Sequence, residues 1–329
     1  MHNFQCALLF GAFLVLSVGC TDVQPADVGA ITLRGESPSF FAFGDWGANS
    51  KPQRDVAEAV NNVCEKLQCD FGLLLGDNFY PAGVKSVDDP MWKSHYLEIY
   101  EKLSMPFYVA LGNHDYGGNV WAQVTYKDPR GRWKMPTPYY QFQAGDAAFF
   151  ATDTTRWSQA QAAWLTKALS DAGDVKWKIV FGHHPLYSYG GNHGDTPYLV
   201  KELLPILKRF NVQLYFSGHD HDRQVLREGK ESPLAIVSGG GGAEIRPLKD
   251  IPRPRELFGK ATYGAVHITL AAGAAKLSMF DSNGKIDYEL ALEDAPKKED
   301  AGLGGEESAR ATKTKRKSKT RRPNEVHAH

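Results

Sequence analysis

Past residue 40 the chain alternates short apolar runs with longer amphipathic stretches. Apolar runs at 40–43, 71–75, 107–111, 147–151, 177–181, 212–216, 234–237, 265–270 and 276–280 predict strands. Residues 52–67, 157–169 and 198–210 carry apolar side chains at helical spacing, as in Trp164, Leu165, Ala168 and Leu169, and predict helices. Strands and helices in alternation argue an α/β architecture. Toward the C-terminus the helices give way to strands around Asn283-Gly284, a hairpin turn signal, so a second, antiparallel portion of sheet is expected.

The pattern breaks at both ends. Residues 7–18 are an apolar run of signal-peptide length, shorter than the roughly 20 residues a spanning helix needs, and predict an export signal over 1–20. The run closes on Leu16-Ser17-Val18-Gly19-Cys20, small residues before a cysteine as at a bacterial lipoprotein cleavage site. Cys20 is therefore a candidate lipid anchor, with simple secretion as the alternative. Residues 21–37 mix Pro, Gly and polar side chains without a period and are expected to form a linker. Beyond residue 292 an acidic stretch precedes a segment dense in Lys and Arg from 310 to 322. Such a sequence buries too little apolar surface to offset its ordering entropy, so 293–329 is expected to be a disordered tail. One catalytic domain, 38–292, remains.

With 42% hydrophobic residues among 329, that domain has ample core material, and a formal net charge of zero asks for no specific nucleic acid. Of four cysteines, Cys6 lies in the signal and Cys20 at its end. Cys64 and Cys69, five residues apart, are left as a candidate disulfide or as two buried thiols.

Candidate chemistry sits at the strand ends. Five apolar runs finish in Gly followed at once by a metal-binding side chain, or one residue later: Gly44-Asp45-Trp46-Gly47, Gly76-Asp77-Asn78-Phe79-Tyr80, Gly112-Asn113-His114-Asp115, Gly182-His183-His184-Pro185 and Gly218-His219-Asp220-His221. In open α/β sheets, sites form outside the carboxyl ends of strands, where side chains converge. Each motif alone is a common turn or cap. All five in one crevice would supply carboxylates, imidazoles and an amide together.

The ordered set resembles the metallophosphoesterase superfamily. Many of its members carry a His two residues after the first Asp; here that position is Gly47, and Tyr80 follows the second Asp by three. Gly-Asp-Trp-Gly with Gly-Asp-Asn-Phe-Tyr is similar to the purple acid phosphatases of the small, tartrate-resistant, single-domain kind, over about residues 40–290. The fold this implies is a four-layer α/β/β/α sandwich of two mixed sheets flanked by helices, with a dinuclear metal site at the C-terminal ends of strands. The resemblance implies Fe(III) bound by Asp45, Asp77, Tyr80 and His221, and a divalent Fe, Zn or Mn bound by Asp77, Asn113, His183 and His219, with Asp77 bridging. Oxygen donors and a phenolate suit Fe(III), while imidazoles and an amide suit the divalent ion. His184 competes with His183 for one role, and the family pattern selects His183.

A metal-bound hydroxide would then attack phosphate monoesters in line. His114 and His193, in the Gly190-Gly191-Asn192-His193 loop, resemble the family's two non-ligand histidines, which bind phosphate and protonate the leaving group. Asp115 is placed either to orient His114 or to cap a turn. The loop 116–138 is expected to shape the substrate pocket, and Gly239 to Gly242 reads as a tight turn, with a backbone cradle for phosphate as the alternative. An exported monomeric acid phosphatase is the expectation. Its rivals are a phosphodiesterase or phosphoprotein phosphatase on the same core, and a surface-anchored binding protein without catalysis.

Overall fold

The computed structural model describes residues 23–271 and 273–293. The expected export signal, Cys20 and, beyond its first residue, the expected tail lie outside the described residues.

Two mixed sheets form the centre. The seven-stranded sheet uses β2 (Ser39–Phe43), β3 (Phe71–Leu75), β4 (Phe107–Ala110), β5 (Trp133–Lys134), β13 (Gly264–Ala271), β14 (Ala274–Asp281) and β15 (Ile286–Glu293). The eight-stranded sheet uses β1 (Ala26–Ile31), β6 (Tyr140–Ala144), β7 (Ala147–Ala151), β8 (Trp177–Phe181), β9 (Leu214–Ser217), β10 (Arg223–Leu226), β11 (Leu234–Ser238) and β12 (Glu256–Lys260). Their orders are β15-β14-β13-β2-β3-β4-β5 and β1-β6-β7-β8-β9-β11-β10-β12. β2 through β5 run parallel, as do β7, β8, β9 and β11, while β13 to β15 are antiparallel, as the Asn283-Gly284 turn predicts.

The sheets pack face to face through aromatic rings. Phe40 and Phe71 of one meet Phe149 of the other edge-on at 5.3 and 5.2 Å, an arrangement worth about 0.5–1.5 kcal/mol per pair beyond the buried area. On the outer face of the eight-stranded sheet, Phe150, Val180 and Tyr215 pack with Leu165 and Leu169 of α3 (Gln159–Asp171) and with Leu199, Leu203 and Leu207 of α4 (Pro197–Arg209). α1 (Lys51–Leu67) lays Val56, Ala57 and Val60 on the seven-stranded sheet. The four expected layers result. α2 (Val120–Thr125) is a short helix in the loop after β4.

Local chemistry fixes the helix starts. The Ser50 hydroxyl accepts from the Gln53 amide at 3.1 Å, with Pro52 in the first turn, and Ser158 accepts from Gln161 at 3.2 Å. Each such cap is worth about 1 kcal/mol. α1 stops at Gln68 in a left-handed conformation, and the Cys64–Cys69 disulfide ties its last turn to the entry of β3.

The expected linker needs correction. Residues 26–31 form β1, which pairs in parallel with β6 from Ala26 opposite Tyr140 to Ile31 opposite Ala144. Its exposed edge position leaves no apolar period to read. Among the described residues, no helix is long and apolar enough to cross a membrane.

Candidate metal centre

The carboxyl ends of the parallel strands of both sheets meet at one place. β2 delivers Asp45, β3 delivers Asp77 and Tyr80, and β4 delivers Asn113; from the other sheet β8 delivers His183 and β9 delivers His219 and His221. Asp45, Asp77 and His183 are buried, and one ligand atom from each lies within 4.8 Å of the others. The Tyr80 phenol oxygen stands 2.8 Å from Asp77 Oδ2 and 3.2 Å from both Asp45 Oδ1 and His221 Nε2. On the other side, His183 Nε2 is 3.0 Å from Asn113 Oδ1, 3.1 Å from His219 Nδ1 and 3.5 Å from Asp77 Oδ1. Asp77 thus faces both groups. Asp45, Asp77 and His219 all adopt left-handed backbone, a conformation that costs free energy and concentrates at functional sites.

These donors fit a pair of cations. His183 Nδ1 donates to the Leu75 carbonyl at 2.9 Å and His221 Nδ1 to the Glu244 carbonyl at 2.7 Å. Both rings turn Nε2 inward, and in the neutral form that nitrogen carries the lone pair, the outer-shell orientation that metal-bound histidines use. Burial, then the crowding of His183, His184, His193 and His221, pushes His219 far below the ordinary histidine range, so it stays a neutral donor in acid. Burial and the Asp45 and Asp77 carboxylates push the Tyr80 phenol far above its ordinary range. A phenolate beside two carboxylates needs cationic charge to form.

Gly47 explains how Tyr80 gets there. A Cβ on Gly47 would lie 2.0 Å from the Asn78 carbonyl oxygen, and the Gly47 carbonyl accepts from the Tyr80 amide at 2.9 Å. The loop carrying Tyr80 therefore lies directly on the backbone of residue 47, where a larger residue would push it away.

The remaining predicted residues line the rim. His114 donates from Nδ1 to the Pro81 carbonyl at 2.7 Å, leaving Nε2 3.9 Å from Asp77 Oδ2, and its ring packs on Tyr80 at 4.5 Å. His193 stacks on His219 at 4.0 Å, with Nε2 3.2 Å from Arg246 Nη1. His184 turns aside: its Nδ1 meets the Thr154 hydroxyl at 2.9 Å, and burial beside His183 pushes it down to about 3.

Three structural roles escape a reading of the sequence. Asp115 neither orients His114 nor caps a turn; its buried carboxylate accepts from the amides of Gly112 and Asn78 at 2.8 and 3.0 Å and from Gln123 Nε2 at 2.9 Å. It locks together the loops that carry Asp77 and Asn113, and burial with Asp77 nearby pushes it up to about 7. The loop 116–138 turns much of its length inward. Arg132 is buried, with its guanidinium on Asp128 at 3.1 Å and on the carbonyls of Tyr100 and Leu103. Gly239 to Gly242 packs beneath Asp45, whose carbonyl accepts from the Ala243 amide at 2.8 Å.

Donors placed for two cations at the carboxyl ends of the parallel strands of two packed mixed sheets are the arrangement of a metallophosphoesterase. Residues 38–223 match the calcineurin-like phosphoesterase family, and the chain belongs to it. Within that family it stands with the purple acid phosphatases. It is 32% identical to tartrate-resistant acid phosphatase type 5 of Sus scrofa, over 76% of this chain and 81% of that protein. It is 33% identical to purple acid phosphatase 7 of Arabidopsis thaliana, over 78% of this chain and 86% of that one. Among solved structures, GAP50, the anchor in the inner membrane complex of Plasmodium, aligns with a TM-score of 0.73 at 28% identity, covering 80% of this chain and 91% of its own. Purple acid phosphatase PPD1 from yellow lupin seeds shares the fold at a TM-score of 0.65 and 19% identity, covering 79% of this chain and 54% of its own. Phosphate-ester hydrolysis at a dinuclear metal centre is the chemistry these relatives imply.

Proposed function

We propose that the protein is an exported acid phosphatase that hydrolyses phosphate monoesters at an Fe(III) and divalent metal pair. The observation that carries this reading is the Tyr80 phenol oxygen, within 3.2 Å of Asp45, Asp77 and His221 at once. Asp45, Asp77, Tyr80 and His221 hold the ferric ion, and Asp77, Asn113, His183 and His219 hold Fe, Zn or Mn. When bound, the pair supplies the charge that activates water and stabilises the phosphoryl oxygens in an in-line displacement.

The protein's own groups do the rest. His114, packed on Tyr80, and His193, stacked on His219, bind phosphoryl oxygens and give a proton to the departing alkoxide, a service typically worth about 10² to 10⁴-fold. Asp115 ties together the loops that carry Asp77 and Asn113. The Cys64–Cys69 disulfide supports export to an oxidising compartment, where such bonds persist. Secretion or attachment through Cys20 both fit, with a monomer as the working unit, a catalytic domain over 38–292 and a tail from 293 that catalysis does not need.

The test compares p-nitrophenyl phosphate with its bis-ester on metal-loaded protein. Monoester turnover should dominate; preference for the bis-ester would establish a phosphodiesterase instead. The likeness to an anchor protein favours a second reading, a surface protein without catalysis, and a fully metal-loaded preparation inert toward every phosphate ester would establish that one.

Two further outcomes are expected. Iron-loaded protein should absorb in the visible through phenolate-to-Fe(III) charge transfer, and Tyr80→Phe should abolish the band; a colourless wild type with zinc in both sites would rule the ferric assignment out. His114→Ala should lower kcat for esters of poor leaving groups by about 10² or more, with little change for activated esters and none in metal content. Loss of a metal ion on that substitution would make His114 a ligand instead.

A further inference from the structure

We propose that Asp220, between the ligands His219 and His221, is a positioning residue that holds His193 over the metal centre. This rests on the reading of His193 as a proton donor and assigns what keeps it in place. Asp220 is only 1% exposed, and no lysine, arginine or histidine pairs with its carboxylate among the described residues. Its Oδ2 instead accepts from the Gly194 amide at 3.1 Å. The loop also presses on the carboxylate from its other end: a Cβ on Gly190 would lie 2.1 Å from Asp220 Cγ. Only a residue without a side chain lets the chain pass that close.

Asp220 is itself fixed. Its amide donates to the Gly218 carbonyl at 2.9 Å, and its carbonyl accepts from the Asp222 amide at 2.8 Å, within the turn that presents both ligand histidines. The far side of the loop is clamped as well, since the Gly191 amide donates to the Pro247 carbonyl at 2.9 Å and the Lys249 amide to the Tyr189 carbonyl at 2.7 Å. Residues 191 and 194 are thereby pinned on either side of His193, and its ring rests on His219 at 4.0 Å. Asp195 is held separately, by the Ser188 amide at 3.0 Å and by Arg255 at 2.9 Å, so loss of the Asp220 acceptor frees the chain at residues 193 and 194 and lets the imidazole swing away from the rim. A carboxylate that merely stabilised the fold would not act through one particular histidine.

A double-mutant cycle on the metal-loaded full-length protein separates the two cases, because residues acting through one another give non-additive effects. His193→Ala should lower kcat for an alkyl phosphate by about 10²-fold and far less for p-nitrophenyl phosphate. Asp220→Ala should show the same leaving-group dependence with a loss of about 10-fold, and the double variant should be no worse than His193→Ala. Asp220→Asn, which keeps an acceptor for Gly194, should stay close to wild type. Amide exchange across residues 190–196, measured by mass spectrometry, should quicken in Asp220→Ala while metal content holds at the wild-type value. If Asp220→Ala fails to fold, Gly190→Ala, which drives a Cβ into the carboxylate, should give the same non-additive pattern with His193→Ala. Additive losses, or a metal ion lost from Asp220→Ala, would overturn the assignment while leaving the role of His193 standing. A His193→Ala enzyme with no leaving-group dependence would overturn both.

Discussion

Asp77→Ala is expected to abolish hydrolysis and to release both metal ions. Asp77 Oδ2 lies 2.8 Å from the Tyr80 phenol, and Oδ1 lies 3.5 Å from His183 Nε2 while accepting from the His114 amide at 2.9 Å. One carboxylate therefore faces both halves of the donor set and also fixes the backbone of the rim histidine. Removing a single preorganised electrostatic donor from an active site costs roughly 10²–10³ in kcat. Removing the group proposed to be shared by both cations should exceed that, so kcat/KM should fall by about 10³-fold or more, equivalent to ~4 kcal/mol of transition-state stabilisation. Steady-state kinetics with metal analysis by mass spectrometry would measure it. Asp77→Asn keeps the shape and loses the charge; if that variant retained both ions and most of its activity, the bridging role would be wrong.

The largest loss of stability should come from Trp46→Ala. Trp46 is fully buried next to the ligand Asp45, edge-on to Tyr100 at 5.4 Å and to Phe79 at 5.7 Å, and its indole N–H donates to Asn78 Oδ1 at 3.2 Å. Truncating a buried Trp to Ala typically costs about 3–5 kcal/mol, a transfer loss plus the cavity left behind. Urea denaturation of the metal-free protein should show a lower midpoint with an unchanged slope. Because Asn78 lies between Asp77 and Tyr80, metal affinity should weaken too. A drop of less than ~1 kcal/mol would mean that the neighbouring rings close the gap without strain.

The candidate donor positions can be picked out in the sequence because each follows the end of a parallel strand within five residues. There the backbone dictates where the next side chain points, and the residue type then states its chemistry. Sequence and structure agree on strands where an apolar run is buried on both faces, as at Phe71–Leu75. β1 was read as linker because an exposed edge strand carries no such run. Asp115 escapes a local reading for another reason. Its partner Asn78 is 37 residues away, so local patterns favoured the adjacent His114, whereas the carboxylate turns back into the core. The loop 116–138 is expected to shape the substrate pocket, yet its Arg132 is buried, as a guanidinium can be when backbone carbonyls and one carboxylate receive its protons. Nothing local distinguishes an arginine bound for solvent from one bound for carbonyls that the fold has yet to bring near.

The seven proposed donors come from both sheets: four follow strands of the seven-stranded sheet and three follow strands of the eight-stranded one. The centre is consequently a clasp across the seam of the sandwich, and occupancy and cohesion become one equilibrium. Ions that bind the folded form alone raise its unfolding free energy by about 2.7 kcal/mol at a free concentration a hundred times the dissociation constant. Heat resistance should accordingly track free metal, and a chelator should lower the melting temperature of the protein before it has denatured anything. Scarcity of metal would then shorten the lifetime of the protein as well as silence its chemistry.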